Sequence, residues 1–117
     1  MRTDFSNNPI VMKTIEFSLM IIDFVEELEE KRKYVVANQI LKSGTSIGAC
    51  AMEAQSAESN ADFIHKMKIA DKEAHEVWYW LYLCERAEKY PFRKELSLKL
   101  DEIMRLLNAI ILSAKAR

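Results

Sequence analysis

Glycine, proline and cysteine are scarce in this sequence, with two of each among 117 residues. The near absence of glycine and proline, beside 50% hydrophobic and 30% charged residues, is typical of an all-α protein. A net charge of −1 excludes a global basic field that would hold nucleic acid, and there is no acidic tail. Strand alternation, internal repeats and low-complexity linkers are also missing. We therefore expect a single helical domain over residues 1–117.

The chain also lacks a long uncharged apolar run. Its most apolar segment, from Ile10 to Leu28, contains five charged side chains, which excludes a membrane span. The first residues carry an early acid, Asp4, with no apolar run behind it, so we expect no signal peptide and a cytoplasmic location. In that compartment Cys50 and Cys84 are expected to be free, buried thiols.

Helical periodicity and helix-boundary signals predict an antiparallel up-down bundle. Asn8-Pro9 is a good helix start, Ser59 with Asp62 resembles a capping box, and Tyr90-Pro91 should end the third helix. The four helices are predicted at about residues 9–31, 34–56, 61–89 and 92–116.

Two helices carry more apolar residues than one core stripe needs. Besides the stripe that holds Phe17, Ile21 and Phe24, the first helix has a second apolar face, and the third helix has apolar residues beside a core stripe that includes Trp78. Such surplus faces on two different helices predict a head-to-tail interface between copies of the chain. The predicted interface residues are Val11, Ile15, Leu19, Ile22, Ile69, Trp80 and Leu83.

Both glycines lie in the second helix, four residues apart, at Gly44 and Gly48. Glycine inside a helix costs roughly 1 kcal/mol relative to alanine, so the pair indicates close approach of another helix. Gly44 to Gly48 also spells G-x-S-x-G, the nucleophile-elbow pattern around Ser46. That pattern requires a strand before the serine, whereas the flanks here keep a helical period. A hydrolase remains a remote alternative.

The two histidines, His65 and His75, are ten residues apart and fall on different helix faces. Asp62 and His65 have the spacing found in di-iron bundles, but those sites need two such pairs and further inward glutamates. We therefore expect two solvated histidines, no metal, no cofactor and no enzymatic activity, with a metal enzyme as another remote alternative.

Basic residues gather at one end of the predicted bundle, which we call the basic end. A phosphate backbone could bind there. Acidic residues interleave with them, so the alternative is a salt-bridged, solvated end. The basic end consists of Lys31, Arg32, Lys33, Arg86, Lys89, Arg93 and Lys94. The interleaved acids are Glu29, Glu30, Glu85, Glu88 and Glu95.

The segment from Ala37 to Leu81 resembles the intervening-sequence protein family, small four-helix-bundle proteins first noticed as reading frames inside 23S ribosomal RNA genes. The match is carried by the phrases QILKSGTSIGA, EAQSAES, DFIHKM and KEAHEVWYWL. The family usually has Asn where this chain has Cys50, and often Arg where it has Lys42.

The resemblance implies a bundle that assembles as a ring-like homopentamer with no attached enzyme activity. A related accessory protein of diversity-generating retroelements is similar in fold and binds nucleic acid and a reverse transcriptase, which implies RNA or DNA as candidate partners. We therefore predict a non-enzymatic homo-oligomer that binds nucleic acid. The alternative is a structural or adaptor oligomer that binds another protein instead.

Overall fold

A computed structural model describes residues 5–117 of the chain. Residues 1–4, on which the expected absence of a signal peptide depends, lie outside the described part. The described chain forms four α-helices and no strand, so the all-α prediction is confirmed. None of these helices is both long and apolar enough to cross a membrane. The helices are α1 (Pro9–Glu30), α2 (Tyr34–Ala54), α3 (Asn60–Arg86) and α4 (Lys94–Lys115).

The helix starts follow the capping signals in the sequence. Asn8 precedes Pro9 and its side-chain oxygen accepts a hydrogen bond from the Val11 amide at 3.4 Å. Ser59 likewise accepts from the Asp62 amide at 3.1 Å, and the Asp62 carboxylate accepts from the Glu58 amide at 3.1 Å. The reciprocal bond therefore goes one residue further upstream than in an ordinary capping box.

The turn between α3 and α4 is longer than predicted. The helix α3 ends at Arg86 because Ala87 adopts an extended conformation, with φ −78° and ψ 123°. The Tyr90 amide then donates to the Ala87 carbonyl at 3.1 Å, which forms a separate turn before Pro91. The proline restricts the backbone of Tyr90, as expected, but the helix has already ended at Arg86, three residues before the predicted end at Lys89.

One hydrophobic core runs between the four helices, and it contains the predicted stripe of α1. Phe17, Phe24 and Ile21 are fully buried there, together with Leu100 and Ile103 of α4. Trp78, which was placed in the core stripe of the third helix, lies outside the core and is 44% exposed, and Leu41 of α2 is likewise 37% exposed. Leu41 directly follows the buried Ile40, and Trp78 directly follows the buried Val77. Because a step of one residue rotates a side chain by about 100° around the helix, Leu41 and Trp78 point away from the core.

The helices α1 and α2 approach closely at the two glycines. A Cβ atom on Gly44 would lie 2.9–3.1 Å from three side-chain carbons of Ile21. On Gly48 it would lie 3.3–3.4 Å from Thr14 and Ser18. Close helix packing is thus the local reason for the glycine pair, and Gly44 is the tighter of the two positions.

Polar contacts link the ends of different helices. Asn8, before α1, donates to the side chain of Gln55, after α2, at 2.8 Å, and Asn60 at the start of α3 donates to the Ala114 carbonyl near the end of α4 at 2.8 Å. Between α1 and α4, Lys99 pairs with Glu16 at 2.8 Å and Lys13 pairs with Glu102. Hydrogen bonds from the two lysines lower the pKa values of Glu16 and Glu102.

Candidate self-association surface and basic end

An exposed apolar stripe runs along α1. Ile15, Leu19 and Ile22 project from the chain as predicted, and Leu19 is 63% exposed. Met12 extends the stripe by one turn, and sequence reasoning missed it although the spacing 12, 15, 19, 22 follows one helix face. We call these four residues the α1 face.

Val11 does not belong to the α1 face, which corrects the sequence prediction. It is 1% exposed and forms part of the core. The cause is the close approach of α2, whose Gly48 packs against Thr14 one turn along α1 from Val11. If α2 lay further from α1, the side chain of Val11 would be exposed to solvent.

The predicted interface residues of α3 differ in exposure. Leu83 is exposed, whereas Ile69 is half-buried. Trp80 is also half-buried, since it packs against the core and its Nε1 donates to Glu76 at 3.3 Å. Of these three side chains, Leu83 is therefore the one most available to a neighbour.

Leu83 borders an apolar cleft of 370 Å³ between the start of α2 and the end of α3. Cys84 lies beside it, and burial raises the pKa of the Cys84 thiol to about 11. This thiol therefore stays protonated at neutral pH and behaves as a small apolar group. Cys50 is free like Cys84 but is partly exposed, against the expectation of two buried thiols. The cleft is lined by Val36, Leu83, Cys84, Arg86, Ala87 and Tyr90.

Three cations of the basic end are held by neighbouring side chains. The Arg93 guanidinium contacts Asp23 at 2.6 Å and Glu27 at 2.8 Å, and the hydrogen bond to Asp23 raises the pKa of Arg93. Glu27 therefore pairs with Arg93 across the bundle, and not with Lys31 along its own helix. The Lys33 ammonium lies 4.8 Å from the ring centroid of Tyr90, and Arg86 lies against Tyr82.

The other four cations of the basic end, Lys31, Arg32, Lys89 and Lys94, are exposed and form no ion pair among the described residues. Arg32 has a φ of 63°, a left-handed conformation that costs a non-glycine residue roughly 1–2 kcal/mol. Two hydrogen bonds of 2.9 Å, from the amides of Arg32 and Lys33 to carbonyls of α1, close this turn.

A second cleft, of 440 Å³, separates the two turns of the basic end. Its wall combines the cations Lys31 and Lys89 with the rings of Tyr90 and Phe92. Glu27 and Glu88 also line it, so both charge signs are present. The structure thus brings the two predicted basic turns together, with fewer available cations than the sequence suggested.

The motifs that suggested catalysis lie in helices. Ser46 is inside α2 and its hydroxyl donates to the Lys42 carbonyl at 2.6 Å, so the strand–turn–helix of a nucleophile elbow is not present around it. His65 and His75 are both exposed on α3. Within residues 5–117, no group of three or more His, Cys, Asp or Glu side chains could hold a metal ion.

A match to a protein-family model establishes the family of the chain. A family model described as 23S rRNA-intervening sequence protein matches residues 6–109. The chain belongs to this family. The match begins before α1 and ends within α4, so it covers the α1 face, the glycine pair and the basic end of this 23S rRNA-intervening sequence protein.

A solved structure supports the same assignment. The chain is similar to a crystal structure of a protein of unknown function from the S23 ribosomal protein family of Bacteroides thetaiotaomicron, with 42% identity and a TM-score of 0.81. The similarity covers 87% of this 23S rRNA-intervening sequence protein and 97% of the solved chain. No functionally curated protein matches the chain.

Proposed function

We propose that this protein is a non-enzymatic homo-oligomer that associates through the α1 face. The observation that carries the proposal is the exposure of Met12, Ile15, Leu19 and Ile22 on three successive turns of one helix. Full burial of a large apolar side chain contributes about 1.5–3 kcal/mol, so four of them provide a substantial driving force. Contiguous exposed apolar residues of this kind mark interaction sites.

The cleft beside Leu83 is the partner surface that we propose for the α1 face. Its 370 Å³ accommodates apolar side chains, and Leu83 with Val36 supplies an apolar wall. Because the cleft lies between α2 and α3, away from the α1 face, the contact is head-to-tail and repeats around a ring. The number of five subunits comes from the family resemblance alone.

Two further properties belong to this proposal. The antiparallel up-down arrangement is supported by the hydrogen bonds that join the start of α1 to the end of α2 and the start of α3 to the end of α4. A cytoplasmic location is supported by the two free cysteines, since unpaired thiols are typical of reducing compartments.

Thiol labelling tests the α1 face. Leu19→Cys and Leu98→Cys place a cysteine at positions that are 63% and 58% exposed in one chain. At tens of micromolar protein, the cysteine at position 19 should react with a maleimide about tenfold or more slowly than the one at position 98, because only dissociated chains expose it. A Cys50→Ser background removes the partly exposed native thiol, and buried Cys84 reacts slowly. Equal labelling rates would contradict the interface.

Nucleic acid is the second candidate partner, and the observation that favours it is the set of four exposed cations at the basic end that form no ion pair within residues 5–117. Replacement of Lys31, Arg32 and Lys94 by glutamate should weaken binding of a structured RNA, and higher salt should weaken it in the wild type because phosphate contacts release counterions. Fluorescence anisotropy at several salt concentrations measures this. If neither the substitutions nor higher salt weakened binding, the nucleic-acid site would lie elsewhere on the protein. If the RNA did not bind at all, the adaptor alternative with a protein partner would be favoured.

A further inference from the structure

The outer side of α3 carries a polar and aromatic stripe that neither the core nor the α1 face uses. Its members recur at alternating spacings of three and four residues, which places them on one face of the helix. All of them are exposed, and the stripe extends roughly 31 Å at 1.5 Å per residue. This outer stripe of α3 consists of His65, Lys68, Lys72, His75, Tyr79, Tyr82 and Arg86.

The outer stripe contains cations and no acid. Lys68 and Lys72 have no carboxylate within 4.0 Å among the described residues, and they lie one turn apart, where like charges repel. The nearest acids at its edges are Asp71, which lies 3.7 Å from His75, and Glu76, which accepts from Trp80, and neither lies within 4.0 Å of the two lysines. An anionic partner would relieve the repulsion between the two lysines.

Ordered aromatic rings lie among these cations. Trp78, at the edge of the stripe, stacks on Tyr82 with ring centroids 5.3 Å apart and an interplanar angle of 6°. Arg86 covers Tyr82 at 5.6 Å and donates to its hydroxyl at 2.8 Å. Tyr79 remains 54% exposed and makes an edge contact with Trp80. These contacts hold the rings in place, so that a base that stacks on them costs the aromatic side chains little conformational entropy.

We propose that the outer stripe of α3 binds single-stranded nucleic acid. Lys68 and Lys72 contact phosphates, and bases stack on Tyr79 and Trp78. Such alternation of cations and aromatic rings is the chemistry by which proteins bind single strands without sequence preference. A duplex is a poorer ligand because its base faces are already stacked. The proposal requires neither the α1 face nor Lys31, Arg32, Lys89 and Lys94 of the basic end.

An anionic membrane is less suited to this surface. Helices that lie in a membrane interface insert a broad aliphatic face, whereas the aliphatic face of α3 is occupied by the core through Val77 and Leu81. The outer stripe itself presents only tyrosine, histidine, lysine and arginine. Vesicles therefore serve as the contrasting ligand in the test.

The test is a fluorescence-anisotropy titration of the whole protein with a labelled 20-nucleotide oligothymidylate, from about 50 mM to 200 mM salt. Lys68→Gln with Lys72→Gln should weaken binding about tenfold or more and should reduce the salt slope by about 1.4, or 0.7 for each phosphate contact. Tyr79→Ala should weaken binding about tenfold and leave the salt slope unchanged, because it removes a stacking contact and no charge. The matched control, Lys42→Gln with Lys115→Gln, removes two exposed lysines elsewhere and should change nothing.

Circular dichroism and molar mass must match the wild type for every variant, so that lost binding is separated from lost folding or assembly. The proposal is overturned if the duplex form binds as tightly as the single strand. It is also overturned if the control weakens binding as much as the stripe variants do, or if the oligonucleotide does not bind at 50 mM salt while phosphatidylserine vesicles do. Loss of binding only in Lys31→Gln with Lys94→Gln would assign the ligand to the basic end instead.

Discussion

Replacing Leu19 and Ile22 by glutamate should convert an assembly into single chains of 13.6 kDa. Both side chains are exposed in the isolated chain, so the substitutions remove no core contact. In the assembly they would place two carboxylates in an apolar contact, where an unpaired charge costs several kcal/mol. Multi-angle light scattering at tens of micromolar protein gives the mass directly.

Leu98→Glu is the matched control for this experiment. Leu98 lies on α4, outside the α1 face, and is 58% exposed, close to the 63% of Leu19. It should leave both the mass and the melting temperature unchanged. If the Leu19 and Ile22 variant kept the wild-type mass, or if Leu98→Glu dissociated the assembly equally, the α1 face would not be the contact.

The second large effect is expected at Gly44. A Cβ atom there would lie 2.9–3.1 Å from Ile21, which is fully buried and branched at Cβ, so it cannot easily move away. Gly44→Leu should lower the free energy of unfolding by about 3 kcal/mol through overpacking. Against a typical total of about 5–15 kcal/mol, that is a large fraction. Urea unfolding at one fixed protein concentration measures it, because association shifts apparent stability.

Two smaller substitutions separate close packing from helix propensity. Gly44→Ala should destabilise the wild type, yet it should stabilise an Ile21→Ala variant by about 1 kcal/mol, since the clash is then gone and only the helix propensity of alanine remains. Gly48→Ala is the control, because its nearest contact is 3.3 Å and its cost is nearly offset by propensity. Equal effects of Gly44→Ala in both backgrounds would rule out the clash with Ile21.

Local patterns predicted the helices because the relevant forces act within a few residues. Asn8-Pro9 and Ser59 mark helix starts through hydrogen bonds to amides three residues ahead, so their sequence neighbours suffice to recognise them. The apolar period likewise identified the core face of α1. The Gly44 and Gly48 pair predicted close packing, although not which residue it packs against.

What sequence could not provide was the spatial relation of one helix to the next. Val11 is buried because α2 lies close to that flank of α1, and Trp78 is exposed because its neighbour Val77 takes the core position. Arg93 looked available in the sequence, yet it contacts two acids of α1 that are about 70 residues earlier. The outer stripe of α3 was not predicted, because its cations and rings are three or four residues apart and form a group only once the helix places them on one face.

Self-association through the α1 face is the central claim, and the mass of the wild-type protein in solution tests it most directly. Native mass spectrometry combined with light scattering at tens of micromolar should give one species of several times 13.6 kDa, and five times that mass if the family resemblance holds for subunit number. A dimer would contradict the head-to-tail ring, because a two-fold contact uses the same surface on both chains. A wild-type monomer at that concentration would contradict the interface itself.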